Sequence, residues 1–154
     1  MRYKILQFLL YLLILTNCGF EVVNNRSNFK ITELDASGDK KISFYLKNKL
    51  LLNSNNENNN LINLSIISNK TKSIKEKNIS NQITKYEINI NTKVEYKILE
   101  NETYKKFTVS KNGFYDVGAK HSDTLNNEKD LINLLIEEIS EDILDNLAIY
   151  LNDL

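Results

Sequence analysis

Residues 85–98 read Lys-Tyr-Glu-Ile-Asn-Ile-Asn-Thr-Lys-Val-Glu-Tyr-Lys-Ile. Tyr86, Ile88, Ile90, Thr92, Val94, Tyr96 and Ile98 alternate with Lys85, Glu87, Asn89, Asn91, Lys93, Glu95 and Lys97. Six of the seven even positions are apolar, and every odd one is polar. Successive side chains of a strand point to opposite faces, so this segment predicts a strand with one wet face and one covered face. Such one-sided burial belongs to antiparallel sheets backed by other elements.

The neighbouring segments supply the partners. Asn101-Glu102 is a tight turn, and Tyr104 to Lys111 predicts the return strand, with Phe107 and Val109 inward. Upstream, Leu61 to Ser68 is rich in β-formers and puts Ile62, Leu64 and Ile66 on one face. Residues 69–82 mix Lys, Ser and Asn, the composition of a hairpin tip or of long strand ends. Phe29 to Leu34 alternates briefly and predicts a short strand. Ser37-Gly38-Asp39 is turn and N-cap chemistry. Behind it Ile42, Tyr45, Leu46, Lys49 and Leu50 recur at helical spacing over about 39–52, and the Asn-rich run 53–60 makes a loop. A long helix over about 126–151 carries an apolar stripe of Ile132, Leu135, Ile136, Ile139, Ile143, Leu147 and Tyr150. Glu128 and Asp130 lie in its first turn, where the helix dipole favours acid. The expected fold is α+β: a two-layer sandwich of two helices on one face of a four-stranded sheet, in the order β-α-β-β-β-α.

Composition narrows the function. The 154 residues suit one domain. Lys plus Arg and Asp plus Glu number 20 each, so no overall field favours nucleic acid as a partner. One Cys excludes an internal disulfide framework and a multi-thiolate metal site, and one His excludes paired-imidazole metal sites. Asn occurs 24 times and Ala only 3, a bias toward A/T-rich codons rather than a prion-like tract, because the Asn residues sit within patterned segments. His121, Ser122 and Asp123 are adjacent and read as a solvated loop before the last helix, since neighbours in sequence cannot converge as a triad. Gly at 19, 38, 113 and 118 makes no phosphate-cradling loop. Glu137, Glu138, Glu141, Asp142 and Asp145 read as the wet face of the final helix. No catalytic or metal-ligating residue is expected, and the protein is expected not to be an enzyme.

The N-terminus carries the strongest signal. Arg2 and Lys4 precede an apolar run from Ile5 to Leu15, interrupted only by Gln7. That run is too short for an ordinary spanning helix, which needs about 20 residues, and fits a signal-peptide core. Leu15-Thr16-Asn17-Cys18-Gly19 resembles a bacterial lipobox, with Asn17 in place of the usual small residue before the cysteine. Residues 1–17 are expected to be a signal peptide, and Cys18 to carry a covalent lipid, the only bound group expected. Residues 18–28 are then the lipidated N-terminus and tether, and 29–154 a single domain. Removing residues 1–17 leaves 18 positive side chains against 20 negative ones. Among lipoproteins generally, the absence of Asp after the cysteine implies export to the outer membrane. Lys70, Lys72, Lys75 and Lys77 form a cationic cluster between two strands, suited either to a solvated hairpin or to the phosphates of an anionic lipid.

Together these pieces resemble the LptE family, also called RlpB, lipopolysaccharide-assembly lipoproteins of the outer membrane. The residues that carry the resemblance are Cys18-Gly19-Phe20, Gly38-Asp39, Asn48-Lys49-Leu50, Ile83-Thr84-Lys85-Tyr86, Phe114-Tyr115-Asp116 and Asn127-Glu128-Lys129-Asp130-Leu131-Ile132. The resemblance implies two helices on a four-stranded sheet. It implies a lipid-anchored, non-enzymatic protein on the periplasmic side of the outer membrane. Such a protein plugs and helps assemble the LptD β-barrel and binds lipopolysaccharide for delivery to the outer leaflet. The four lysines 70, 72, 75 and 77 are the candidate contacts for lipopolysaccharide phosphates. Another outer-membrane lipoprotein, acting as a pilotin or as a scaffold for an assembly machine, stays open as the alternative.

Overall fold

Four strands form one sheet in the order β1-β2-β3-β4: β1 Phe29–Gly38, β2 Asn60–Lys77, β3 Ile83–Ile98 and β4 Tyr104–Asp116. Two helices, α1 Lys40–Leu52 and α2 His121–Asn152, cover one face. The structure is a computed structural model and describes residues 29–54 and 60–152. The signal segment 1–17, Cys18 and its tether to residue 28, and residues 55–59 of the Asn-rich run lie outside the described residues.

β1 and β2 pair in parallel, with Phe29 opposite Asn60 and Gly38 opposite Ser68. A parallel pair needs a crossover, and α1 provides it. The remaining pairs are antiparallel, with Ile62 opposite Ile98 and Lys97 opposite Tyr104. Phe29, Asn60, Ile98 and Tyr104 therefore lie at one end of the sheet. The 78–82 turn between β2 and β3 lies at the other, about 60 Å away at some 3.3 Å per residue over the 18 residues of β2.

The even face of β3 is the covered one: Ile88, Ile90, Thr92, Val94, Tyr96 and Ile98 are all buried. They join Phe29, Ile31 and Leu34 of β1, Ile62, Leu64 and Ile66 of β2, Val109 and Tyr115 of β4, and both helices in one cluster. α1 contributes Ile42, Leu46 and Leu50, and α2 contributes Ile132, Leu135, Ile136, Ile139, Ile143, Leu147 and Leu151. α1 lies over β1, and α2 over β4. At Gly113 of β4 the Leu131 side chain of α2 packs close on the strand, for a Cβ there would stand 2.6 Å from the Leu131 Cδ1. Lys49 does not join the α1 stripe as a core residue; its ammonium pairs with Glu137 of α2. Lys111 of β4 reaches Asp142 of α2 at 2.8 Å.

The junction of β1, α1 and β2 is tightly determined. The Asp39 N–H donates to the Ser68 carbonyl at 2.7 Å. The Asp39 carboxylate caps α1, accepting from the N–H groups of Lys41 and Ile42 at 3.1 and 3.2 Å. The Ser43 hydroxyl donates to the Ser37 carbonyl at 2.6 Å. Gly38 has φ of 97°, and a Cβ on it would fall 2.1 Å from the Ser68 oxygen. The fully buried Ser68 and Thr92 hydroxyls satisfy one another at 3.0 Å.

Several boundaries differ from the sequence reading. β1 runs to Gly38 rather than Leu34, because an irregularity between Ile31 and Glu33 shifts the inward phase and hides the alternation. For residues 69–82, read as a hairpin tip or as long strand ends, the structure has long strand ends: β2 runs to Lys77, paired with β3 despite its polar composition. β4 continues through Gly113 to Asp116 rather than ending at Lys111. α2 begins at His121 rather than 126, so His121, Ser122 and Asp123 form its first turn, not a loop before it. Asn60 already belongs to β2, so the expected loop ends earlier. Tyr45 and Tyr150, assigned to core stripes, face outward; Ser43 and Leu151 occupy the buried positions beside them.

Two predictions follow from this packing. Gly38→Ala forces a side chain into both a positive φ and the Ser68 carbonyl, a strain of about 1–3 kcal/mol before the clash is counted. Urea denaturation should show a loss at least that large, and an unchanged midpoint would refute the close approach. The Tyr96 hydroxyl is buried and has no hydrogen-bond partner among the described residues. Burial, then the nearby Tyr150, pushes this phenol above its ordinary pKa. Leaving a buried polar group unpaired costs about 1–3 kcal/mol, so Tyr96→Phe should be neutral or stabilising. A clear loss of stability would show that the hydroxyl is bonded in solution.

Candidate functional site: the free hairpin end

β1 stops opposite Ser68, while β2 continues to Lys77 and β3 begins at Ile83. The β2–β3 hairpin therefore projects past β1, flanked on its other side by β4 up to Asp116, which faces Lys85. All four lysines of the cluster lie on this projection.

Strand alternation divides them. Lys70 and Lys72 share the helix-side face with Ile66 and Ser68. The Lys72 ammonium lies 4.3 Å from the Tyr86 ring centre and 5.2 Å from that of Tyr115, and pairs with Glu128 of α2 at 2.6 Å. The Tyr115 hydroxyl donates to the same carboxylate at 2.8 Å, and the Tyr86 and Tyr115 rings stack at 5.5 Å. Irregularities between Ile74 and Lys77 then change the phase of β2. Lys75 turns to the uncovered face, 4.6 Å from the Phe114 ring centre and 4.0 Å from the Glu87 carboxylate. Lys77 stays at the tip and donates to the Asn81 side-chain carbonyl at 3.1 Å.

The tip is an ordered turn. The Asn78 side-chain oxygen accepts from the N–H groups of Ser80 and Gln82, both at 3.0 Å. Asn81 takes a positive φ of 60°, a conformation Asn tolerates. The turn presents Ile79 fully to solvent beside Lys75 and Lys77. Ile74, Val117 and Leu125 add exposed apolar surface at the same end. An open cavity of about 310 Å³ between hairpin and helix is lined by Lys72, Ile83, Tyr86, His121, Leu125 and Glu128, among others.

Electrostatics separates Lys72 from the presented Lys75 and Lys77. Burial pushes the Glu128 carboxyl up, but hydrogen bonds from Lys72 and Tyr115, with the charges of Lys72 and Lys70, outweigh it and hold the group below its ordinary range. For Lys72, burial acts downward, and the bonds to Glu128 and Tyr115 raise it overall. Burial is also the main cause that raises the Tyr115 phenol. Lys72 is thus bound to a carboxylate of its own chain, on which Lys70 acts only through its charge, whereas Lys75 and Lys77 have weaker partners and more open surroundings.

Sequence reasoning missed Glu128, Tyr86 and Tyr115 as members of this assembly. Glu128 read only as a first-turn acid and Tyr86 only as a core residue; the in-register pairing of Tyr86 with Tyr115 was the available signal. His121 lines the cavity. Among the described residues no group of three or more His, Cys, Asp or Glu could hold a metal ion, and no helix is long and apolar enough to cross a membrane.

No family model and no curated protein matches the chain. Solved structures do. A candidate lipoprotein of Caulobacter crescentus CB15 superposes with a TM-score of 0.56 at 15% identity, covering 82% of this chain and 92% of its own. Rare lipoprotein B from Shewanella oneidensis superposes with a TM-score of 0.51 at 16% identity, covering 80% and 94%. At these identities the likeness establishes a shared fold across nearly the whole of those chains.

The Lys72–Glu128 pair generates a pH prediction. The folded pKa of Glu128 lies below its ordinary 4.5, so its contribution is present above that value and is lost as pH falls through the folded pKa. Glu128→Gln should lower the melting temperature at neutral pH, and the gap from the parent should close as pH drops below about 4.5. A gap independent of pH would show that the carboxylate charge is not what holds the hairpin.

Proposed function

We propose that this chain is an LptE-like lipoprotein, acylated at Cys18 and held on the periplasmic side of the outer membrane. In this reading it is not an enzyme. It plugs and helps assemble an LptD-type β-barrel and binds lipopolysaccharide for delivery to the outer leaflet. The observation that carries the proposal is the fold shared with rare lipoprotein B over nearly that protein's whole length. The geometry supports it. The tether would enter at Phe29, at the end of the sheet opposite the 78–82 turn, so an anchored domain holds its hairpin away from its lipid.

On this hairpin the lysines have unequal roles. Lys75 and Lys77 meet the phosphates, and Ile79 offers apolar surface at the same tip; Lys72 holds the hairpin to α2 through Glu128. Exposed ion pairs are worth roughly 0–1 kcal/mol each, so losing two lysines lowers affinity by up to about thirtyfold. The test has two arms. Mass spectrometry of the chain from membranes should find a diacylated Cys18 at the mature N-terminus and a large barrel co-purifying. Titration with lipopolysaccharide should show weaker binding and a shallower salt dependence for the double variant Lys75→Gln, Lys77→Gln. A free thiol at Cys18 removes the anchor from the proposal. A co-purifying secretion or assembly machine in place of the barrel favours the pilotin or scaffold reading.

A further inference from the structure

The uncovered face of the sheet changes character along its length. Toward the tether end its strands carry Asp35, Lys93, Glu95, Lys97 and Lys106. Toward the hairpin, two successive rows hold no charge. Asn69 stands opposite Asn91, and Asn91 opposite Ser110. One step further, Thr71 stands opposite Asn89, and Asn89 opposite Asn112. Their strand neighbours Ser68, Ile88, Ile90, Thr92 and Val109 are buried on the helix side, so all six project away from the core. The next row holds Ser73, Glu87 and Phe114, whose ring is 47% exposed. The Asn112 amide donates to Glu87 at 3.0 Å. The side chains of Asn69, Thr71, Asn89, Asn91 and Ser110 make no hydrogen bond among the described residues.

Codon bias does not account for these rows. It favours Lys as well as Asn, and the chain holds 18 of the one and 24 of the other. Lysines occupy the same face on both sides, at Lys93 and Lys75, yet none enters the rows. Asn is also depleted from strands, so four of them here oppose local preference. A local choice that opposes the fold marks a functional surface. The chemistry fits one class of ligand. Each amide offers donors and an acceptor without charge, and each hydroxyl offers both. Strands about 4.8 Å apart, with a repeat of roughly 7 Å along each, set these groups in a grid. An oligosaccharide presents the matching surface, with uncharged hydroxyls on neighbouring carbons and C–H faces that pack on the electron-rich face of a ring such as Phe114. Nucleic acid would need ammonium groups in the rows for its phosphates. Protein interface cores are rich in aromatic residues and poor in Ser, which makes a protein the poorer fit.

The rows are continuous with the tip. Lys75 turns to this face and lies 4.6 Å from the Phe114 ring centre, and Lys77 follows at the turn. Read inward from the turn, β2 places Lys77 and Lys75 first, then Ser73, Thr71 and Asn69. Eight residues of strand make this path about 25 Å long. A molecule with phosphates at one end and uncharged sugars beyond them meets ammonium groups first and amides next. The order of chemistry along the face is therefore the order along such a glycolipid.

We propose that the uncovered sheet face binds the sugar chain of the glycolipid through Asn69, Asn89, Asn91 and Phe114, while its phosphates sit at the hairpin tip; this rests on the lipopolysaccharide reading above for the identity of the ligand. The probe is the core oligosaccharide freed from lipopolysaccharide by mild acid and then dephosphorylated, so that it carries neither lipid nor phosphate. It is titrated against the full-length acylated chain in an amine-oxide detergent, which has no sugar or phosphate of its own. The side-chain amide resonances of Asn69, Asn89 and Asn91 should shift, and raised salt should leave the affinity little changed, because screening acts on charge. Asn69→Ala, Asn89→Ala and Asn91→Ala together should weaken binding by about tenfold or more. Phe114→Ala alone should weaken it by about fivefold, and decides the matter should the triple variant not fold by circular dichroism. Unshifted amides, or the parent's affinity in both variants, would overturn the proposal. So would binding of this probe that salt or the double variant Lys75→Gln, Lys77→Gln abolishes, since it would belong to the tip. Amides that respond, in a protein whose affinity for intact lipopolysaccharide ignores the two lysines, refute the phosphate reading and leave the sugar face standing. Lysine-dependent binding of intact lipopolysaccharide with silent amides does the reverse.

Discussion

The Ser68 carbonyl is the point on which the architecture turns. It accepts the Asp39 N–H and closes against Gly38 where no side chain fits. The contact ends β1, turns the chain into α1 and fixes the parallel register to β2. Had β1 continued along β2, the Lys-rich stretch from Asn69 to Lys77 would be the interior of a sheet. With β1 ended there, the stretch becomes one edge of a projecting hairpin, and its lysines also discourage edge-to-edge pairing with other chains. The buried Ser68–Thr92 hydroxyl pair lies on the same residue, so the core beneath the junction is polar yet satisfied.

A long two-stranded projection is marginal alone in water. Here β4 supplies a third strand as far as Asp116, and the Lys72–Glu128–Tyr115 group ties the projection to the start of α2. The first turns of α2 are therefore part of the hairpin's support. The price of that rigidity is that Lys72 is committed to an internal partner, and the chemistry of the tip narrows to Lys75, Lys77 and Ile79.

The two-layer fold was legible because β3 alternates without interruption and both helices carry clean inward stripes. Element order and the covered face follow from those periods alone. Strand ends were not legible where compensation came from outside the segment. The inward phase of β1 shifts at an irregularity that no residue advertises, and the polar end of β2 is a strand only because β3 supplies hydrogen-bonding partners along it. Gly113 reads as a break but is a place where a helix must come close. The candidate site was legible as a cluster of charge and not as an arrangement. Four lysines adjacent in sequence separate in space because a strand alternates and then changes phase, and the carboxylate that claims one of them lies 56 residues away. Tyr45 and Tyr150 misled for a related reason: amphipathic rings satisfy a helical period equally well at the edge of the core and outside it.

The two helices also divide the charge of the domain. Glu137, Glu141 and Asp145 make the outer face of α2 acidic, whereas α1 carries lysine and no acid. A near-neutral chain therefore has a strong asymmetry across its helical layer, invisible in the net charge. That asymmetry runs across the long axis of the sheet, while the separation of tether end from hairpin tip runs along it. A domain with both has two directions defined, one by where its chain enters and one by which helix favours anions. A lipid at Cys18 would define the end of the sheet from which the chain enters the domain.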